Sequence, residues 1–160
     1  MPEPSRLVVG RSGSGALARL LEPWPEPDRA EQAFPFVTVD EAGFPHVLLL
    51  CTAELLPAGD RLLVAVASAT ARANLARTGT ATLIAADGTA AHYAKLRVRA
   101  TEEHAGFACL TCEVVWHKRD SLGIPLRPME FHATPAIAAN ERWAETRAAL
   151  VALRDRSTQD

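Results

Sequence analysis

Two hydroxyls and a guanidinium lie close together in the segment Ser68-Ala-Thr-Ala-Arg-Ala-Asn-Leu75. Ser68 or Thr70 can cap a helix that carries Arg72, Asn74 and Arg77 and stops at Gly79. A helix N-terminus presents unpaired N–H groups and the positive end of a dipole, so it suits an anion. Two hydroxyls at its mouth and an arginine one turn in are the parts a phosphate site uses. The same residues also compose an ordinary capped linker helix with a solvated arginine.

Other reactive side chains are sparser. Cys109-Leu-Thr-Cys112 has redox or metal spacing, but residues three apart on a strand point to opposite faces. No second CxxC or HxxxH accompanies it, so these read as structural thiols rather than a metal site. The histidines, His46, His92, His104, His117 and His132, show no i, i+4 pairing on a helix. His117 and His132 stay open as zinc or haem ligands. Trp116-His117-Lys118-Arg119 either lines a cleft or interface or guards an edge strand with charge. Ser-Gly-Ser-Gly near the start lacks the strand that a nucleophile elbow requires. No side chain stands out as an acid or base for a substrate.

The elements that must position these groups follow from periodicity. Apolar runs at 62–67 and 80–86 flank the short helix and suit buried strands. Upstream, 35–39, a turn over 40–43 ending in Gly43, and 45–53 form a hairpin, with a second turn at 57–60. Asp87-Gly88 is a hairpin turn into a strand over 90–100. There, period two puts Lys95, Arg97 and Arg99 on one face and Leu96 and Val98 on the other. A strand over 107–119, a loop over 120–128, a short strand at 129–133 and a helix over 140–156 complete the chain, with Asn140 as that helix's N-cap.

Before all this, residues 1–33 hold a short helix at 14–21 and the Pro23, Pro25, Pro27 segment, which is held extended. Trp24 within that segment is expected to dock on the surface. The chain therefore reads as mainly β, a six-stranded antiparallel β-barrel with peripheral helices. Its expected organisation is an N-terminal extension at 1–33, a barrel domain at 34–139 and a C-terminal helix at 140–160. The strand at 45–53 is apolar on both faces, so its outer face needs a helix or a second subunit.

Composition narrows the function classes. The 160 residues are 48% hydrophobic and 22% charged, which is globular rather than disordered. A net charge of -2 with no basic stripe argues against nucleic acid. No apolar run approaches the roughly 20 residues of a membrane span, and no signal-peptide core opens the chain. The expected location is cytoplasmic, and three cysteines are too few and too odd for a disulfide framework.

Taken in order, Thr-Val-Asp-Glu-Ala-Gly-Phe-Pro-His-Val (38–47), Ser-Ala-Thr-Ala-Arg-Ala-Asn-Leu (68–75), Thr-Ala-Thr-Leu-Ile-Ala-Ala (80–86) and Tyr-Ala-Lys-Leu-Arg-Val-Arg-Ala (93–100) resemble the flavin-binding split barrels. These are the relatives of pyridoxamine 5′-phosphate oxidase, and the resemblance spans about residues 34–100. It implies a homodimer of six-stranded barrels with FMN at the subunit interface, acting on a small molecule with NAD(P)H or a similar donor. Backbone groups of His46, Val47 and Leu48 would lie beside the flavin ring. Ala67, Ser68, Thr70 and Arg72 would hold the phosphate, with Asn74 supporting that loop. Lys95 would reach the ring, where a positive charge favours an anionic reduced flavin. Members that bind haem or a deazaflavin coenzyme keep those cofactors as alternatives, and a member that only carries its cofactor keeps a non-catalytic reading. The vitamin-oxidising members differ from this chain. They have an arginine where His46 stands, a lysine in the first helical turn, and a C-terminal segment with tryptophan and arginines. These departures point away from pyridoxamine phosphate oxidation itself.

Overall fold

A single long hairpin forms the spine of the molecule. The computed structural model describes residues 12–159. In it β7 (Gly88–His104) pairs antiparallel with β8 (Phe107–Leu126) over most of their lengths. On one side of this spine follow β6 (Thr80–Ala86), β2 (Phe34–Val39) and β3 (Pro45–Leu50), with β3 at the edge. On the other side lie β5 (Arg61–Val66) and β4 (Leu55–Ala58). A separate two-stranded sheet pairs β1 (Ala30–Gln32) with β9 (Glu130–His132). The fold is thus mainly β and antiparallel, with helices at its periphery. Its principal sheet has seven strands where six are expected.

The alternation along β2 explains its placement. Phe34, Phe36 and Thr38 are buried, while Pro35 and Val37 sit half-buried on the other face. The inward side chains meet Leu50, Leu55, Val64, Val66, Leu83, Leu96 and Leu110 in the main core. Helix α1 (Ser12–Leu21) adds Leu17 and Leu21 to it, and α2 (Ala69–Thr78) adds Ala71 and Leu75. β5 is buried along Leu62–Val66 because both its faces are covered. Val64 and Val66 face the main core, while Leu63 and Ala65 lie under Leu150 of α4 (Trp143–Ser157). Hence its near-continuous apolar run.

Four expectations need correction. The strand expected at 45–53 ends at Leu50. Cys51 then opens a 3-10 turn, Thr52–Glu54, which Glu54 closes by accepting the Cys51 N–H at 2.9 Å. The loop expected at 120–128 is strand as far as Leu126, because Ser121 and Leu126 pair with Ala90 and Gly88 of β7. The helix expected over 140–156 is two helices. In the first, α3 (Pro135–Asn140), Thr134 accepts the Ile137 N–H at 3.1 Å. Asn140 ends that helix and does not cap α4; Arg142, at φ 53, takes the cap position, held by the Ala105 carbonyl at 2.7 Å and by Glu145. Finally, the N-terminal helix begins at Ser12 rather than 14, while residues 1–11 lie outside the described residues.

Candidate functional site

The helix mouth is built as its capping residues dictate. Ser68 leaves helical geometry (φ -58, ψ 118) and its Oγ accepts the Ala71 N–H at 3.2 Å. Gly79, at φ 68, closes the helix by donating to Leu75. Ser68 is therefore the cap, and Thr70 stands in the first turn. Ala67, Ala69 and Thr70 are exposed, so the open end of α2 faces out. Arg72 reaches Glu103 through Nη1 at 3.5 Å, but its Nε is buried and has no partner among the described residues. An unmet buried donor costs about 1–3 kcal/mol, more when charged, and an anion at this mouth would relieve it.

Asn74 faces away from the opening. It is buried and its amide donates to Thr38 Oγ1 at 3.0 Å, tying α2 to β2. Arg77 donates to the Val39 carbonyl and adds a second tie. Thr38 donates in turn to the His46 carbonyl at 3.4 Å, which extends the link to β3.

A second group assembles on the outer face of the sheet. Strand register puts Val47, Val37, Thr82, Lys95 and Trp116 in one row across β3, β2, β6, β7 and β8. Directly opposed residues share a face, so the row spans four strand spacings, about 19 Å. Lys95 Nζ lies 4.8 Å from the Trp116 ring centroid. Val47 is 52% exposed and Leu49 53%, so no element among the described residues covers the row's β3 end. The side chains of His46 and Leu48 alternate to the other side, where Leu48 packs on the core. Asp40 donates its N–H to Phe44 at the hairpin. By antiparallel alternation, the backbone groups of Val47 and Leu49 then point out of the free edge. Pro35 and Pro45 occupy positions of that same set, where no ladder N–H toward the partner is needed.

The two groups do not meet within one chain. Glu103, which Arg72 touches, is eight residues along β7 from Lys95, about 26 Å of strand. Two grooves, one of about 450 Å³ by Arg61 and Arg154 and one by Trp24 and Arg29, lie elsewhere.

Cysteine placement follows the period-two reading. Cys112 lies in the main core and Cys109 in the cluster beneath α4, on opposite faces of β8. Burial pushes their thiols up, to about 12 and about 11. The histidines hold what sequence reasoning missed. His92 is fully buried, with Nε2 2.8 Å from Asp87 Oδ2 and Nδ1 2.9 Å from His117 Nε2. Arg119 Nε donates to the same Asp87 oxygen at 2.8 Å. The link is cross-strand and diagonal, so helical spacing could not reveal it; only the β7–β8 register could. His132 sits on the surface, 4.0 Å from Asp28. Among the described residues no group of three or more His, Cys, Asp or Glu is placed to hold a metal ion.

No family model and no curated protein matches the chain. Solved structures do. A putative flavin reductase from Haemophilus somnus 129PT matches at TM-score 0.50 and 12% identity, covering 75% of this chain and 98% of its own. The chain has the split-barrel fold of the flavin reductases. A flavoredoxin from Methanosarcina acetivorans matches at TM-score 0.50 and 11% identity, covering 67% of this chain and 82% of its own. A conserved hypothetical protein from Mycobacterium tuberculosis covers 81% of this chain and 97% of its own, at TM-score 0.53 and 11% identity. At such identities the likeness is one of fold. No helix of the described residues is long and apolar enough to cross a membrane.

Proposed function

We propose that this split barrel binds FMN as a homodimer and works as a flavin-dependent oxidoreductase, drawing electrons from NAD(P)H or a similar donor. The observation that carries the reading is the buried, unpartnered Nε of Arg72 beside the open, Ser68-capped end of α2. A phosphate there would take the guanidinium, the first-turn N–H groups and the Thr70 hydroxyl. Val47 and Leu49 offer free backbone groups along β3, and the Lys95–Trp116 row extends the same face. Because the two groups lie far apart in one chain, a flavin touching both needs the helix mouth of one subunit and the sheet face of the other. The uncovered apolar residues Phe44, Val47 and Leu49 suit that second subunit.

When bound, the flavin supplies the redox chemistry, and the protein supplies orientation and charge. Lys95 would favour negative charge developing on a ring laid along its row. Mixing the protein with FMN and NADH or NADPH tests this: oxidation of the nicotinamide is expected, and no oxidation with either donor overturns the nicotinamide-dependent reading. Likeness to a flavoredoxin keeps a carrier reading beside it, with FMN, haem or a deazaflavin held without turnover. That reading expects bound cofactor and no nicotinamide oxidation.

A further inference from the structure

Asp87, His92 and His117 connect end to end, and their hydrogen-bond geometry fixes where the protons sit. Asp87 lies in the turn between β6 and β7. Its carboxylate accepts from the N–H groups of Thr89 and Ala90 and from Arg119. The Arg119 guanidinium, opposed by partial burial and aided by His92 and Thr89, holds this carboxyl well below the usual range, so it is ionised and can only accept. His92 must therefore donate Nε2–H to it across 2.8 Å. A neutral His92 then has a bare Nδ1, and His117 must donate its Nε2–H into that lone pair across 2.9 Å.

His92 has no exposed surface, and Arg119 already pairs with the Asp87 carboxylate. The charged groups facing the two rings are Asp87 from the turn and Arg119 from β8. Lys118 alternates to the opposite face and pairs with Asp120. With Nε2 committed, His117 keeps a bare Nδ1 that has no partner among the described residues. Its ring is half-buried rather than sealed. Burial lowers its pKa, in keeping with a neutral ring at neutral pH.

We propose that Asp87, His92 and His117 form a proton relay whose working end is Nδ1 of His117, a base for a small ligand bearing an acidic O–H or N–H. The ligand's O–H or N–H bond breaks, its electron pair stays on the ligand as an anion, and its proton forms the new N–H on Nδ1. The resulting imidazolium still donates to His92 and, through it, leans on Asp87, so the charge is stabilised without a second proton leaving the protein. No oxidant or cofactor enters the step. The relay stands independently of the flavin reading.

Long-range proton–nitrogen spectra of the full chain labelled with nitrogen-15 histidine, at neutral pH, test the proton positions without any substitution. The expected result is Nε2–H on both His92 and His117 with both Nδ1 atoms bare. A proton on Nδ1 of His117, or a doubly protonated His92, overturns the relay. Transfer is read with 4-nitrophenol, held one unit below its own pKa with protein in excess. The coloured anion is expected to rise at least twofold (a shift of about 0.3 pKa units or more) over the level with His117→Gln, whose amide can still donate to His92. Asp87→Asn should fall between the two. Equal colour with wild type and His117→Gln overturns the base.

Discussion

Replacing Arg72 with alanine separates a ligand-holding arginine from a structural one. Among the described residues Arg72 has one charged contact, Nη1 to Glu103 at 3.5 Å, with both side chains partly in water. A pair of that kind contributes about 0–1 kcal/mol. Its Nε is buried and unmet, a cost that the substitution removes. The second effect is at least as large as the first, so stability in urea should stay unchanged or rise, by up to about 3 kcal/mol. Binding should change far more. A charge-assisted hydrogen bond to phosphate contributes about 1.5–3 kcal/mol, which raises the Kd for FMN about 10- to 150-fold. Flavin fluorescence titration of both proteins, with urea melts of each, gives the two numbers. Arg72→Lys should recover part of the affinity, because it restores charge without the planar fork. An unchanged Kd in Arg72→Ala refutes the phosphate role, and a stability loss above about 1 kcal/mol refutes the claim that the side chain is unmet.

Other substitutions follow from single contacts. Asn74→Ala removes the amide that ties α2 to Thr38 and should cost about 1–3 kcal/mol in urea unfolding, without the large change in Kd expected of Arg72. Val47→Asp puts a charge on the uncovered edge strand. It should leave each chain folded, since Val47 is exposed there, and should give the light-scattering mass of a monomer where the proposed homodimer gives the wild type twice that mass. Glu54→Gln addresses pH. Burial pushes this carboxyl up to about 7, against the lowering pull of the Cys51 N–H. The native state thus binds the proton more tightly than the unfolded chain, and stability falls as pH rises from about 4.5 towards 7. Gln, which can still accept from Cys51, should flatten that slope. Asp87 acts in a different window: its lowered carboxyl adds stability that is complete at neutral pH and is lost as pH drops below about 4.

Legibility in the sequence tracked how local the governing interaction was. Ser68, Gly79 and Gly43 act within a turn of themselves, and the helix, its stop and the first hairpin stand where those residues put them. The 80–86 run forms its strand with the expected bounds because its apolar alternation needs no distant partner to be recognised. Ser121 to Leu126 read as loop, since Gly123 and Pro125 punctuate it. Pairing with Gly88 and Ala90 overrides that local signal. Asn140 is a good cap in isolation. Thr134 followed by Pro135 is a better helix start, and Arg142, clamped by Ala105 and Glu145, resets the chain for α4. Of the candidate site, a hydroxyl cap at Ser68 or Thr70 and the alternation around Lys95 were legible, and the structure gives the cap to Ser68. The buried Nε of Arg72, the separation of Arg72 from Lys95 and the Asp87–His92–His117 chain were not, because each depends on which strands lie side by side.

The proposed site for a flavin phosphate is the mouth of α2. Absorbance of the purified protein, incubated with FMN and then desalted, tests it most directly. Flavin absorbance is expected to stay with the protein at about one FMN per chain and to wash away from Arg72→Ala. A colourless wild-type protein that releases all its FMN would contradict it.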